Sequence, residues 1–155
     1  MNDFSTAIKD YNQAISMDSK LVGAYHDRAI AYMKLKNYNS ALNDYYKTLE
    51  LDPERKNVYF QIGYCYSGLK NYSSAVESYT KYLYYYPNDK LAYHNRGIDC
   101  GRLGDYPTAI ENFTQAILLD PNYGSAYRNR GIAYRKMGSE EQARQDLQKA
   151  KNLGA

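Results

Sequence analysis

The sequence predicts an all-α fold built from repeated helix pairs, and two observations carry this prediction. Pro53, Pro87 and Pro121 are 34 residues apart, and several tyrosines and alanines recur at the same spacing. Between these positions, apolar residues follow helical spacing. A fixed period of this size is typical of an array of small units, none of which can bury its apolar face alone.

The unit from 22 to 55 shows the elements in order. A first helical stretch carries Tyr25 and Tyr32 on one face, and a second carries Ala41 and Tyr45. The polar link 36–39 between them contains residues that favour turns and caps.

Proline marks the end of each unit. The second helix should end before Asp52-Pro53, because proline donates no helical hydrogen bond and restricts the residue before it. The same order of elements recurs in three further units, 56–89, 90–123 and 124–155. The chain is therefore predicted to be a single array of 155 residues.

These recurring residues resemble the tetratricopeptide repeat family, whose pattern is Trp-x2-Leu-Gly-x2-Tyr, then Ala-x3-Phe, then Pro. Tyrosine takes the place of tryptophan at Tyr25, Tyr59, Tyr93 and Tyr127. The small residue is Ala29, Gly63, Gly97 and Gly131. The alanine–aromatic pairs are Ala41/Tyr45, Ala75/Tyr79 and Ala109/Phe113. The resemblance implies an α-solenoid of antiparallel helix pairs forming a right-handed superhelix.

The chain begins inside a unit. Residues 1–21 match the second half of a repeat, with Phe4, Ala7 and Tyr11 on its helix. We expect these side chains to be partly uncovered, so that either a longer array or another molecule covers them. They are therefore candidates for self-association.

The last helix is expected to carry a polar outer face. Arg144 and Lys151 stand where earlier second helices have apolar residues. Terminal repeats need such a face, so this substitution predicts a C-terminal cap.

The resemblance also implies a ligand site, because fixed places on the family's first helices line a concave groove. The matching residues are His26, Ile30, Phe60, Tyr64, His94, Ile98, Arg102, Arg128, Ile132 and Arg135. The residues at the ninth place of each unit are Ile30, Tyr64, Ile98 and Ile132. All four are apolar or aromatic, and they form either the floor of a peptide-binding groove or ordinary packing between helices. The arginines either favour an acidic stretch of a ligand or form a solvated charged face.

Chaperone-adaptor members of the family hold a ligand's terminal carboxylate with lysine at the fifth place and asparagine at the ninth. This chain has His26 and Ile30 at those places in its first full unit. That binding mode is not expected here.

Most tyrosines are expected to pack between helices. Thirteen of the 20 have a place in the repeat framework: 11, 25, 32, 38, 45, 59, 66, 72, 79, 93, 106, 127 and 134. The run from Tyr82 to Tyr86 is different, because Tyr82 stands where other units have alanine or threonine. We expect Tyr82, Tyr84 and Tyr86 to distort the array locally or to form a self-association surface, since tyrosine is enriched in interfaces.

Three arginines recur in phase, at Arg28, Arg96 and Arg130. We expect them to bridge to acidic residues of adjacent helices rather than to touch a ligand. The candidate acids are Asp44, Glu111 and Asp146.

No catalytic or cofactor site is expected. His26 and His94 lie two periods apart, too far to share a metal, and Cys65 and Cys100 form no metal or disulfide spacing. The sequence shows no phosphate-binding glycine loop or nucleophile elbow.

The composition excludes little but points away from several classes of partner. The net charge of +3 and the 24% of charged residues do not indicate binding to nucleic acid or to an anionic membrane. Neither a signal peptide nor a membrane span is visible, so a cytoplasmic location is expected.

The leading prediction is a non-catalytic scaffold that binds a protein or peptide in the groove. The alternative is a homo-oligomeric structural module joined through the N-terminal half repeat. RNA binding is a third, weaker interpretation, because isoleucine at the ninth place does not fit a base-reading code. Enzyme activity is the least expected.

Overall fold

The computed structural model describes residues 3–155 and confirms the predicted all-α class. These residues form nine helices: α1 Phe4–Met17, α2 Val22–Lys34, α3 Tyr38–Leu51, α4 Val58–Gly68, α5 Tyr72–Tyr85, α6 Lys90–Arg102, α7 Tyr106–Leu119, α8 Gly124–Lys136 and α9 Glu140–Asn152. Within the described part of the chain, no helix is both long enough and apolar enough to cross a membrane.

The helices divide into two compact units, each with its own packing. The first unit runs to Asn71, and in it α1 packs on α2, α2 on α3, and α3 on α4. The second unit starts at Tyr72, and its helices from α5 to α9 pack in chain order, with α6 also reaching α8.

Helix ends follow the chemistry that the sequence predicts. The helices α3 and α7 end at Leu51 and Leu119, one residue before an Asp-Pro pair. The link between α2 and α3 is shorter than predicted, because Asn37 caps α3 by accepting a hydrogen bond from the Ser40 amide. Tyr38 is therefore the first residue of the helix rather than part of the link.

The turn between a first and a second helix uses the left-handed backbone region at one recurring position. Lys36 and Lys70 have φ of 59° and 61°, and the equivalent Gly104 and Gly138 have 83° and 76°. A residue with a Cβ is strained in this region, whereas glycine is not. The two lysines thus carry a cost that the two glycines avoid.

The tyrosine framework is confirmed. Tyr45 and Tyr79 are among the largest fully buried side chains, and all of the other eleven predicted framework tyrosines are half-buried. In the first unit, Tyr45 lies in an apolar cluster with Val58, Ile62 and Cys65. Burial of aromatic surface on this scale is a main source of stability in a small helical array.

The recurring arginines each join three consecutive helices. Arg28 donates two hydrogen bonds to Asp44 on α3, both 2.7 Å, and one of 2.6 Å to Asn12 on α1. Arg130 likewise bonds Asp146 on α9 and Thr114 on α7. The hydrogen bonds to Asp44 raise the pKa of Arg28, so the guanidinium stays charged in the folded state.

The predicted partner of Arg96 is wrong by one position. Arg96 donates to Asn112 at 2.7 Å and to Thr80 at 3.1 Å, not to Glu111. The position that corresponds to Asp44 and Asp146 in this unit is Asn112, and Glu111 is exposed beside it. Burial without a carboxylate partner lowers the pKa of Arg96.

Candidate functional site

The first unit contains a cavity formed by α2, the α2–α3 turn, the start of α3, and α4. Its volume is about 380 Å³, and its walls are formed by Met33, Lys34, Lys36, Tyr38, Phe60, Gln61 and Tyr64. Tyr64 is 47% exposed and meets the Tyr38 ring edge-on, with 6.4 Å between ring centres. The arrangement places two predicted groove residues, Phe60 and Tyr64, around one aromatic-rich opening with lysines at its edge.

The second unit contains a smaller cavity of about 230 Å³ formed by α6, α7 and α8. Three predicted groove residues line it: Ile98, Arg102 and Ile132. Ile132 is 44% exposed, whereas Ile98 is half-buried against the cluster that contains Phe113. Arg102 pairs with the buried carboxylate of Asp99 at 2.9 Å.

The four ninth-place residues therefore behave differently. Ile30 and Ile98 pack against apolar clusters, each within its own unit. Tyr64 and Ile132 present much of their surface to solvent. Both interpretations of this set, packing and an open apolar floor, apply to part of it.

His94 is a buried residue rather than an open groove side chain. It is 8% exposed, and its two ring nitrogens lie 3.1 Å from the Tyr123 hydroxyl and 2.9 Å from Asn129 Nδ2. The ring also contacts Phe113, with 5.7 Å between centres. Burial lowers the pKa of His94, so the ring is held neutral in the folded chain.

The remaining predicted groove residues lie outside these two cavities. His26 is half-buried, with its Nδ1 3.1 Å from Asp27 and its ring edge-on to Tyr45. Arg128 is exposed, and Arg135 lines a separate, charged depression beside α9. The three arginines among the predicted groove residues thus do not line one common cavity.

The N-terminal candidates do come together. Phe4, Ala7 and Tyr11 on α1 line a cavity of about 410 Å³ with Ile30 on α2. All four are half-buried, and α1 contains no fully buried residue.

The tyrosine run forms a connected surface within the second unit. Tyr82 stacks on Tyr86 with 4.8 Å between ring centres, and its hydroxyl donates to Asp89 at 2.8 Å. Burial, together with Asp89, raises the pKa of Tyr82. Tyr84 is 82% exposed and meets Tyr85 edge-on. The large ring at position 82 is accommodated by the turn after α5.

Neither cysteine has the exposed, low-pKa thiol of a reactive nucleophile. Both are buried, and burial raises the pKa of Cys65 to about 12 and that of Cys100 to about 11. Thiols with such values are poor nucleophiles at neutral pH. Among residues 3–155, no group of three histidine, cysteine or acidic side chains could hold a metal ion.

Several residues that line the cavities are not among the predicted groove residues. Tyr38 and Tyr106 are predicted to pack between helices, and in the structure each also forms a cavity wall. Gln61 and Asn129 have no counterpart in the family's groove places. The signal for the tyrosines was present, because both stand at the start of a second helix beside the groove.

Three family models match the chain, and all describe the same repeat. One, a tetratricopeptide repeat, matches residues 22–55, and another of the same description matches 57–89 and 124–153. A third, described as a TPR repeat, matches 102–138. No curated protein matches the chain at a significant level.

The fold is similar to solved structures of MamA and YrrB. MamA from Desulfovibrio magneticus RS-1 has a TM-score of 0.94 at 19% identity, covering 99% of this chain and 86% of that chain. MamA AMB-1 has a TM-score of 0.87 at 26% identity, covering 97% and 82%. YrrB, described as a TPR protein with an unusual peptide-binding site, has 0.87 at 23% identity, covering 98% and 78%. These likenesses confirm the predicted α-solenoid class.

Proposed function

This chain belongs to the tetratricopeptide repeat family, and on that premise we propose that it is a non-catalytic scaffold whose first helices bind a peptide. The family match and the fold support a protein-interaction role. The finer assignment, binding of an extended or helical segment in the cavities beside Tyr64 and Ile132, is our proposal.

The observation that carries it is the exposure of apolar side chains at recurring places on first helices. Tyr64 and Ile132 are each close to half exposed, and each opens onto a cavity within its own unit. Apolar pockets with a few polar groups are the usual form of a ligand site. An aromatic or aliphatic anchor of a peptide would bury the exposed rings and methyl groups.

Basic side chains in the cavity walls indicate the charge of the ligand. Lys34 and Lys36 line the cavity of the first unit, and Lys136 lines that of the second together with Arg102, which is paired with Asp99. Basic groups at the rim favour an acidic partner mainly through the association rate. We therefore expect a segment with apolar anchors and flanking Asp or Glu.

YrrB is a precedent for peptide binding on this fold, since it is described as a TPR protein with an unusual peptide-binding site. The identity to YrrB is 23%, so the likeness supports the fold and not a shared ligand. The assignment to this chain rests on its own cavities.

A random peptide display library, selected on the full chain, tests the proposal. Enriched peptides should combine aromatic or aliphatic residues with acidic ones, and Tyr64→Ala should weaken their binding about tenfold, as loss of an interface anchor does. Tyr46→Ala is the matched control, because Tyr46 is 46% exposed but lies on α3 and does not line the cavity. Equal loss in both variants would contradict the proposal.

The other expectations from the sequence stay predictions. Self-association through Phe4, Ala7 and Tyr11 would appear as a mass that rises with protein concentration. Absence of nucleic-acid binding would appear as no response to single-stranded RNA at low salt. The cytoplasmic location also stays a prediction.

A further inference from the structure

The cavities beside Tyr64 and Ile132 occupy corresponding places in the repeat. Two periods separate five pairs of their wall residues: Met33 and Gly101, Lys34 and Arg102, Tyr38 and Tyr106, Gln61 and Asn129, Tyr64 and Ile132. The two cavities are therefore copies of one site, each formed by a first helix, the start of the second helix and the first helix that follows. Differences between the copies come from the residues that do not repeat.

The copies differ in how far they reach into the core. Three wall residues of the cavity in the second unit are buried: Gly97, Ala109 and Phe113. Their counterparts in the first unit are also buried, but they are not among the described residues that line the cavity there: Ala29, Ala41 and Tyr45. The cavity of the second unit is therefore deep, whereas that of the first is shallow.

A methionine closes the cavity of the first unit from the core. The Tyr45 hydroxyl donates to Met33 Sδ at 3.9 Å, so the methionine side chain lies over the tyrosine. The counterparts of this pair are Gly101 and Phe113, which have neither the side chain nor the hydroxyl. The space that Met33 fills in one copy is thus open in the other, beside the Phe113 ring.

Packing does not require glycine at position 101. A Cβ added to Gly101 would lie 3.9 Å from the Ala109 Cβ, which is ordinary van der Waals contact. At Gly97, by contrast, an added Cβ would lie 2.8 Å from the Phe113 ring. Gly101 belongs to α6 and does not have the positive φ of Gly104. Since glycine lowers the stability of a helix, the open cavity is what this residue contributes.

The walls of the open cavity indicate which side chain would fill it. Ile132 is 44% exposed, whereas Phe113 is 3% exposed, so a ligand side chain must be long enough to pass the first and reach the second. Methionine is long, unbranched and flexible, and its sulfur forms favourable contacts with aromatic rings. Met33 shows that this side chain fits the copy of the site in the first unit.

We infer that the cavity of the second unit takes a methionine side chain of the bound peptide, in the space that Met33 fills in the first unit. The inference rests on the proposed peptide-binding function, and it makes Gly101 the residue that determines specificity in this cavity. The ligand sulfur lies against the Phe113 ring, and acidic residues next to the methionine face the exposed Lys136. The shallow cavity of the first unit does not share this preference.

Two substitutions at one position test whether the space accepts a methionine. Gly101→Met should place a side chain in the cavity, whereas Gly101→Ala should leave most of the cavity open. Both should raise the melting temperature by about 2–4 °C, because alanine and methionine form helices better than glycine. A melting temperature for Gly101→Met below that of the unchanged chain would show that methionine does not fit, and would overturn the inference.

A random peptide display library, selected in parallel on the unchanged chain and on both variants, tests recognition. Peptides recovered on the unchanged chain and on Gly101→Ala should share a methionine at one aligned position. On Gly101→Met this methionine should no longer be enriched, because the variant side chain fills its place.

A double-mutant cycle with the most enriched peptide, made synthetically, tests the specific contact. Replacing its methionine by alanine should weaken binding to the unchanged chain about tenfold, as loss of an interface anchor does. The same replacement should cause little further loss with the Gly101→Met chain, because both changes remove one interaction. Norleucine, which has the length of methionine, should retain most of the affinity.

The outcomes separate this inference from the proposed function. Peptides that bind without a shared methionine, or whose methionine stays enriched on Gly101→Met, would overturn the inference and leave the peptide-binding function in place. Additive losses in the cycle would do the same. Recovery of no peptide on the unchanged chain would overturn both.

Discussion

Arg130 and Asp146 join α8 to α9 through two parallel hydrogen bonds, from Nε to Oδ2 at 2.7 Å and from Nη2 to Oδ1 at 2.9 Å. Both side chains are largely buried, and Arg28 and Asp44 repeat the same geometry in the first unit. Paired guanidinium and carboxylate groups of this kind satisfy each other's hydrogen bonds, but each is costly if left alone.

Arg130→Met should therefore destabilise the chain by about 2–4 kcal/mol, because it leaves the Asp146 carboxylate buried without its cation. The double change Arg130→Met with Asp146→Leu should recover most of that loss. Urea unfolding followed by circular dichroism measures both. Arg144→Met, which removes an exposed pair with Glu141, should cost less than about 0.5 kcal/mol. A comparable loss in the control would show that the buried geometry is not the cause.

Lys36→Gly and Lys70→Gly should each stabilise the chain by about 1 kcal/mol. Both lysines hold the left-handed backbone conformation that costs a residue with a Cβ about that much. The reverse change, Gly138→Lys, should lower stability by a similar amount. Thermal melting of the three variants tests the sign at each position, and a decrease for either glycine substitution would refute the argument from backbone strain.

Stability should fall as the pH drops below about 6.5, the ordinary pKa of histidine. Burial lowers the pKa of His94, so the unfolded chain takes up a proton at a pH where the folded chain does not. The ring faces the Tyr123 hydroxyl and Asn129, and Lys90 lies 5.3 Å from the centre of the Tyr123 ring. None of these groups offers a negative charge to the imidazolium.

Urea titrations between about pH 7.5 and 5.5 test this dependence, in a range above the ordinary titration of carboxylates. His94→Gln should reduce the slope of stability against pH. The stabilising effect of the neutral ring is fully present above the unfolded pKa and is lost progressively as the pH falls toward the folded pKa. An unchanged slope in the variant would assign the dependence to other groups.

Tyr82→Phe should cost about 1 kcal/mol, because it removes the hydrogen bond from the Tyr82 hydroxyl to Asp89 while keeping the ring. Tyr84→Phe should be close to neutral, since Tyr84 is almost fully exposed. Differential scanning fluorimetry of the pair separates the hydroxyl's contribution from that of the ring. Equal shifts in melting temperature would mean that the Asp89 contact is not stabilising.

The repeat framework could be predicted almost residue by residue, because each structural requirement occurs several times in phase. The alanine–aromatic pairs and the Asp-Pro helix ends are in the places that periodicity indicates. The partner of Arg96 is the exception, because Asn112 keeps the register of Asp44 and Asp146 but not their charge, whereas the acidic Glu111 is one position out of register.

The candidate site was less predictable, because its details depend on residues that do not repeat. His94 is buried by Tyr123, yet the residues one and two periods earlier are Asp89 and Arg55. His26 therefore has different surroundings from His94, although both occupy the same place in the unit. Periodicity predicts the position of a side chain, whereas its exposure is decided by such individual neighbours.

Each recurring arginine contacts both the helix before its own and the helix after it, and these contacts bear on how the number of repeats could change. Arg96 contacts Thr80 behind it, and Arg130 contacts Thr114. Deletion of residues 90–123 as a block would bring Arg130 against Thr80, with the same hydroxyl acceptor. Loss of this one period thus keeps the bridge from Arg130 to the preceding helix, because one threonine replaces another, whereas a deletion of a different length between these helices would separate Arg130 from its acceptor.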